Sequence, residues 1–314
     1  MRSVDRRRIA AGVATDRGGV ASRRLLRKEG ITAADIRAEV RAARWVAHGR
    51  QTIAVHNRPL TDEEKHWRAI WEVGHDIAAL DGVTALQAAG LRGYDEETVH
   101  VSVVHTCTIH RVEGVRQHKV SRNQPRLVSQ VGIPRVPLAV AAIRAAHWAW
   151  TDRQAALILL MAVQQRLISP KQLRDAAKTT RGRRRRAFVR EVVRDISMGV
   201  QAIGELDFSR LCRERGLPEP FLQEVREDSR GRVYLDVRFR CGLVCEIDGV
   251  QHDFALQPTA DRIRQNEVTL SSDKVLRYTN IGLRLDPDVF LDQVERGLRQ
   301  MGGIGDDYRR PHAG

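Results

Sequence analysis

The chain has 314 residues, about two average domains in length, with 42% hydrophobic and 29% charged residues, which excludes wholesale disorder. No run reaches the ~18 apolar residues of a membrane span, and Met1-Arg2-Ser3-Val4-Asp5-Arg6-Arg7-Arg8 enters charge where a secretory signal carries an apolar core. Four scattered cysteines (Cys107, Cys212, Cys241, Cys245) are too few for a disulfide scaffold, so the expected location is the cytoplasm, in association with the nucleoid. The net charge is +14, and residues 1–60 alone hold 14 basic and 5 acidic side chains. That concentration suits a polyanionic partner, and equally a well-solvated basic surface.

In chain order, a first helix runs from Val4 to about Thr15 and a second from Ala21 to Glu29, stopped by Gly30. A third opens at Thr32, where Asp35 three residues on completes a capping box. Ile36, Val40 and Ala43 form its buried stripe, and Arg37, Arg41 and Arg44 an exposed basic edge one residue later. Trp45 to Ala47 and Gln51 to Val55 read as short strands around a His48-Gly49-Arg50 turn. Three helices and then a wing is the winged helix-turn-helix order. It is expected to set the third helix into the major groove of double-stranded DNA and the wing, with Arg50, against phosphate. With Gly18-Gly19-Val20-Ala21 before the second helix and Arg44-Trp45 before the wing, residues 1–60 resemble the N-terminal domain of AbiEi-type antitoxins. The resemblance implies repression of the chain's own operon, with a cognate toxin and a second copy of the chain as partners.

Residues 61–180 read as a connecting α+β domain. Glu63 to Leu80 is an amphipathic helix, Leu86 to Gly93 ends another at glycine, and Val99 to Val104 alternates as a strand. Pro134 to Arg166 is two helices joined near Thr151-Asp152. His100, His105, His110 and His118 are either metal ligands or ordinary strand and loop histidines; no paired cysteine or short His-x-x-His string closes a site. Arg181-Gly182-Arg183-Arg184-Arg185-Arg186 marks a boundary, or a segment able to lie along phosphate.

The last third carries the strongest pattern. A helix around Gln201 to Arg215 leads into a strand, Phe221 to Glu227, and a turn at Asp228-Ser229-Arg230-Gly231. In the next strand Val233, Leu235, Val237 and Phe239 alternate with Arg232, Tyr234, Asp236 and Arg238. In the one after it Leu243, Cys245 and Ile247 alternate with Val244, Glu246 and Asp248. An Arg240-Cys241-Gly242 loop pairs Leu235 with Ile247 and Val237 with Cys245, and so sets Asp236 directly opposite Glu246. Facing carboxylates repel and call for compensation, either by a divalent cation or by Arg232, Arg238 and Arg277. A helix near Thr259 to Leu270 and a strand, Lys274 to Asn280, follow.

Helix, three strands, helix, strand is the order of the PD-(D/E)XK nuclease core. Asp236, Glu246-Ile247-Asp248-Gly249-Val250-Gln251-His252, Asp261-Arg262-Ile263-Arg264 and Leu276-Arg277 resemble the very-short-patch-repair (Vsr) endonuclease-like domain, over about residues 195–302. The resemblance implies metal-dependent hydrolysis of DNA phosphodiesters. Asp236, Glu246 and the Ile247 carbonyl would hold Mg²⁺ or Mn²⁺, with Glu205 beside the metal and His252 as acid, base or water-orienting group. Asp261, Arg264 and Arg277 would support the site. The superfamily motif has lysine two residues after the glutamate; here Asp248 stands in that place and adds an acid to the catalytic set. A degenerate member that binds DNA without cutting it is the alternative. The expected fold is therefore α+β: a winged helix (1–60), a mixed α/β middle region (61–180) and a restriction-endonuclease-like αβββαβ core with a mixed sheet (195–302).

Overall fold

The computed structural model describes residues 3–120, 132–198, 208–227, 233–248 and 275–305. Its secondary structure is mixed α and β, in two units, residues 1–145 and 146–314. The division falls within the segment 61–180.

The first unit opens with α1 (Ser3–Ala14), β1 (Val20–Ser22), α2 (Arg23–Lys28), α3 (Ala33–Arg41), β2 (Val46–Ala47) and β3 (Thr52–Ala54). The three strands form an antiparallel sheet in the order β1-β3-β2. The second helix thus starts at Arg23, two residues later than its sequence suggests. Ser22 caps it through Leu25 N, and Val20, Ala21 and Ser22 pair with Ala54, Ile53 and Thr52. That pairing joins segments 30 residues apart, which a local helical pattern does not register. Gly30 turns at φ 78°, and the Thr32–Asp35 capping box starts α3. Ala10, Ala14, Ala21, Leu26, Ile31, Ile36, Trp45 and Ile53 make the local core.

On α3 the buried positions are Ile36 and Glu39; Val40 is half-buried, and Ala43 lies beyond the helix end at φ 53°. A carboxylate can occupy this core edge because arginines meet it. Arg44 Nε donates to Glu39 Oε2 at 2.6 Å and Arg6 Nε to Oε1 at 2.9 Å. Against the cost of burial, Arg44 first, then Arg6 and the Ser3 hydroxyl, hold the Glu39 carboxyl down at about 2.

Helix α4 (Asp62–Val73) ends at Gly74 (φ 145°), so the segment up to Leu80 is not one helix; Ala78–Leu80 is β4. β4 pairs antiparallel with β5 (Val99–Val104), which pairs parallel with β6 (Val115–Val120). Trp67, Ile70 and Trp71 of α4 share a core with Val20 and Ala54 of the first sheet and with Leu80, Val99, Val101 and Val103 of the second. One helix therefore holds both sheets. α5 (Gly82–Gln87) follows β4, and α6 (Leu138–Trp148) crosses the division between units.

The second unit continues with α7 (Asp152–Gln164), α8 (Pro170–Thr179) and α9 (Arg186–Met198); capping boxes at Thr151 and Ser169 start the first two. The arginine run 181–186 lies within this unit and leads into α9, whose first residue is Arg186. Arg185 donates from Nε to Asp152 and from Nη1 to the Ala149 carbonyl, each at 2.6 Å, and Gly182 sits where a Cβ would meet the His147 ring at 2.1 Å. After α10 (Phe208–Glu214) come β7 (Leu222–Glu227), β8 (Val233–Arg238), β9 (Val244–Asp248), β10 (Val275–Thr279), α11 (Asn280–Leu285) and α12 (Pro287–Gln300). The sheet order is β10-β9-β8-β7, antiparallel except for the parallel β9–β10 pair, so it is a mixed sheet. The helix expected near 259–270 lies outside the described residues.

Replacing Glu39 with alanine leaves the Arg6 guanidinium, 10% exposed, without its buried partner. The expected loss is about 3 kcal/mol, read as a lower urea midpoint at unchanged m-value.

Candidate functional site

The β8–β9 hairpin closes through Phe239 N to Leu243 O and Gly242 N to Phe239 O, both 2.9 Å, with Gly242 at φ 92°. Its register pairs Leu235 with Ile247, Asp236 with Glu246 and Val237 with Cys245, as the alternation of the two strands requires. Leu235, Val237, Cys245, Ile247, Leu276 and Tyr278 enter one core with Phe208, Leu283, Phe290 and Leu298; Tyr278 stacks on Phe290 at 4.4 Å between centroids. A slip of one residue would turn the hairpin's apolar residues out of this core. The packing on one face therefore fixes what stands on the other.

That other face carries a row across all four strands. Glu224 of β7 is registered opposite Asp236, Asp236 opposite Glu246, and Glu246 opposite Arg277 of β10. Asp236 is only 4% exposed, and its Oδ2 accepts from Arg238 Nη2 at 3.0 Å. Glu246 Oε2 accepts from Arg277 Nε at 2.9 Å. Both arginine side chains are about half exposed, and each reaches one oxygen of its partner. Of the two kinds of compensation open to facing acids, arginine pairing is present here.

The donor chemistry also suits a hard cation. Mg²⁺ takes carboxylate oxygens, is held by one or two of them, and keeps several waters. Asp236 and Glu246 offer that pair on adjacent strands; Ile247 buries its side chain in the core, which leaves its carbonyl as the one donor it has. Among the described residues, no group of three or more His, Cys, Asp and Glu is placed to hold a metal. Asp248 continues β9 opposite Tyr234 and Thr279, but its side chain lies outside the described residues, as do Glu205, His252, Asp261 and Arg264. Glu224 and its place in the row were not legible in the sequence. Five residues separate β7 from β8, and a loop of that length does not set a register.

In the first unit, Arg37 and Arg41 stand exposed on α3. Arg44 is also exposed, but its guanidinium is engaged with Glu39. Arg50 projects from the β2–β3 turn, and the turn is tied down from beneath. The Glu72 carboxylate of α4 accepts from the backbone N–H groups of Arg50, Gln51 and Thr52, each at 2.8 Å. Gly49, at φ 133°, lies so close to that carboxylate that a Cβ would meet it at 2.5 Å. No signal in the sequence points to Glu72, which is 22 residues from Arg50.

The four histidines of the middle segment do not come together as a four-ligand set. His105 and His110 are exposed. His100 and His118 pair across β5 and β6 with His118 Nε2 3.1 Å from His100 Nδ1 and stacked rings 5.1 Å apart. Burial pushes both below the ordinary imidazole value, His118 to about 3, with the charges of Arg116 and Arg144 adding to the shift at His118. In that contact one ring nitrogen donates and the other accepts.

No protein-family model matches the chain, and no curated protein matches it. Among solved structures, the crystal structure of the RV2827C protein from Mycobacterium tuberculosis aligns with a TM-score of 0.39 and 12% identity, over 61% of this chain and 75% of that one. No described helix is long and apolar enough to cross a membrane.

Because the folded-state values of His100 and His118 lie below 6.5, the unfolded chain binds more protons as pH falls through 6.5 toward about 3, and stability is lost over that window. The urea midpoint is expected to be lower at pH 5.5 than at pH 7.5, both chosen as assay conditions at roughly one unit either side of the free imidazole value. The difference is expected to shrink in His118→Gln.

Proposed function

We propose that the chain is a DNA-binding protein with an N-terminal winged helix-turn-helix domain and a C-terminal, metal-dependent endonuclease domain of Vsr-like PD-(D/E)XK type. The observation that carries the second half is the register that sets Asp236 against Glu246 on a polar sheet face whose reverse is fully packed. Support for the first half comes from helices α2 and α3 joined by a glycine turn, the exposed Arg37 and Arg41, and a hairpin turn bearing Arg50 that Glu72 holds in place. A helix-turn-helix with an anchored hairpin can present one element to the groove and another to phosphate.

In this reading Asp236 and Glu246 hold Mg²⁺ or Mn²⁺, and Arg238 and Arg277 bring positive charge to the same face for an anionic substrate. Such an ion polarises phosphate and lowers the pKa of bound water. Purified protein is expected to nick double-stranded DNA with Mg²⁺ or Mn²⁺. Asp236→Ala and Glu246→Ala are each expected to reduce the rate at least about 100-fold. Plasmid, linear and mismatched DNA that all stay intact with either ion would reject the endonuclease.

A second reading has a specific observation in its favour: both carboxylates already have arginine partners, and Asp248 occupies the position of the motif lysine. Here the chain is a non-catalytic regulator of antitoxin type, with a degenerate nuclease fold, acting on its own promoter with a second copy and a cognate toxin as partners. Arg37→Ala and Arg41→Ala should then weaken promoter binding, each lowering the slope of log affinity against log salt by about 1. Anisotropy titrations at several salt concentrations measure this, and footprinting without a protected promoter site would dismiss it. Calorimetric titration with Mg²⁺ separates the two readings, since a regulator has no need of a cation at the sheet.

A further inference from the structure

The second unit carries a concentration of positive charge of its own. Residues 147–190 hold 11 basic and 2 acidic side chains, an excess equal to that of residues 1–60. Both acids already have basic partners, Asp152 in Arg185 and Asp175 in Lys178. The densest part, residues 181–186, runs along the end of α6 and the turn into α7. Gly182 packs on the His147 ring, and His147 Nδ1 lies 2.6 Å from the Arg184 carbonyl. Arg181, Arg183, Arg184 and Arg186 stand exposed there, and so does Trp150, 68% open to solvent. A single exposed apolar side chain is ordinary. What sets Trp150 apart is how its backbone is held. Its N–H donates to Gln154 Oε1 at 3.1 Å, and its carbonyl accepts from Arg185 Nη2. The Nε and Nη1 of the same guanidinium reach Asp152 and the Ala149 carbonyl. Arg185 does this from a left-handed backbone, φ 54°, a conformation that disfavours every residue with a Cβ.

We propose that the α6–α7 turn and the arginine run form a binding surface for single-stranded nucleic acid, on which Trp150 stacks a base and Arg181, Arg183 and Arg184 meet the flanking phosphates. The surface lies wholly in the second unit and shares no residue with α3, the β2–β3 turn or the sheet acids, so it depends on neither reading above. The chemistry selects the partner. A guanidinium fork matches two phosphate oxygens, and an indole face matches any base. In a duplex the base faces are covered by their neighbours and give the Trp150 ring nothing to stack on, whereas an unpaired strand presents one at every nucleotide. Carboxylates alone satisfy the arginines but offer the indole no planar partner. A ring whose backbone is fixed beforehand loses little freedom on binding, and that is what the clamp of Arg185 and Gln154 contributes. Arg185 is thus a positioning residue for Trp150.

The test uses the full chain and a fluorescein-labelled oligothymidylate of about 16 nucleotides, titrated by anisotropy at several salt concentrations. Trp150→Ala is expected to weaken binding at least about fivefold, at an unchanged slope of log affinity against log salt. Trp150→Phe keeps a stacking ring and stays near the wild type, yet loses part of the quenching of tryptophan emission that the oligonucleotide causes. Arg183→Ala and Arg184→Ala are each expected to lower the salt slope by about 0.7. Arg185→Gly suits the backbone but drops the clamp, and weakens binding in the direction of Trp150→Ala. Trp150, Arg183 and Arg184 are exposed, so their variants keep the wild-type urea midpoint. A duplex of the same length is expected to lose no affinity with Trp150→Ala. Equal affinity of Trp150→Ala and wild type for the single strand would overturn the stacking role, and an equal loss on the duplex would overturn the preference for unpaired bases. Unchanged slopes in both arginine variants would overturn the phosphate contacts. Displacement of the labelled strand by polyglutamate as readily as by unlabelled oligothymidylate would overturn nucleic acid as the partner, and a wild type that binds no oligothymidylate would overturn the surface itself.

Discussion

Burial of one face of the β8–β9 hairpin is the constraint on which the sheet of the second unit and its candidate site depend. Leu235, Val237, Cys245 and Ile247 are withdrawn from water into a core shared with α10, α11, α12 and β10. Side chains alternate along a strand, so withdrawing these four forces Asp236 and Glu246 side by side on the opposite face. The apolar side thus holds the acids in an arrangement they would not adopt by themselves. Arg238 and Arg277 answer the resulting repulsion, one from the same strand as its acid and one from the neighbouring parallel strand.

The first unit uses buried or anchoring carboxylates in a comparable way. Glu39 draws Arg6 of α1 and Arg44, beyond the end of α3, onto one point. Glu72 of α4 gathers three backbone N–H groups of the β2–β3 turn. Glu64, at the start of α4, meets Arg58 and His56 within 3 Å and accepts from Thr61 N in its own capping box. Each carboxylate is fully or largely used by its partners, so these acids fix the frame, while Arg37, Arg41 and Arg50 keep their side chains exposed. Arg44 belongs to both the frame and the exposed basic edge, since it is exposed and holds Glu39, and Arg50 is tied to Glu72 by its backbone, so the two are linked at these residues.

Much of this was legible in the sequence where the deciding interactions are local. The Thr32–Asp35 box, the β2–β3 hairpin and the helix start at Thr151 each depend on residues within a few positions of one another. The register of β8 on β9 was legible for a related reason: a three-residue loop joins two strands of strict alternation, and one pairing alone matches apolar with apolar. Strand β1 reads locally as the start of a helix because its partner lies 30 residues away. β4 reads as part of α4 because the hydrophobic pattern continues past Gly74, where the helix ends. Within the arginine run, the contact of Arg185 with the Ala149 carbonyl spans 36 residues, which composition does not register.

Alternation, capping and short-loop pairing are written in the chain's local order, and with them the facing acids Asp236 and Glu246. What meets those acids depends on how distant segments dock. Arg277 comes from a strand 31 residues beyond Glu246, Glu224 joins the row through a hairpin whose loop leaves register open, and Glu72 reaches a turn two elements before it. Periodicity along a chain reports which side of an element is apolar. Which charges share the polar side depends on how separate elements dock, and that is set by the summed burial of their apolar faces.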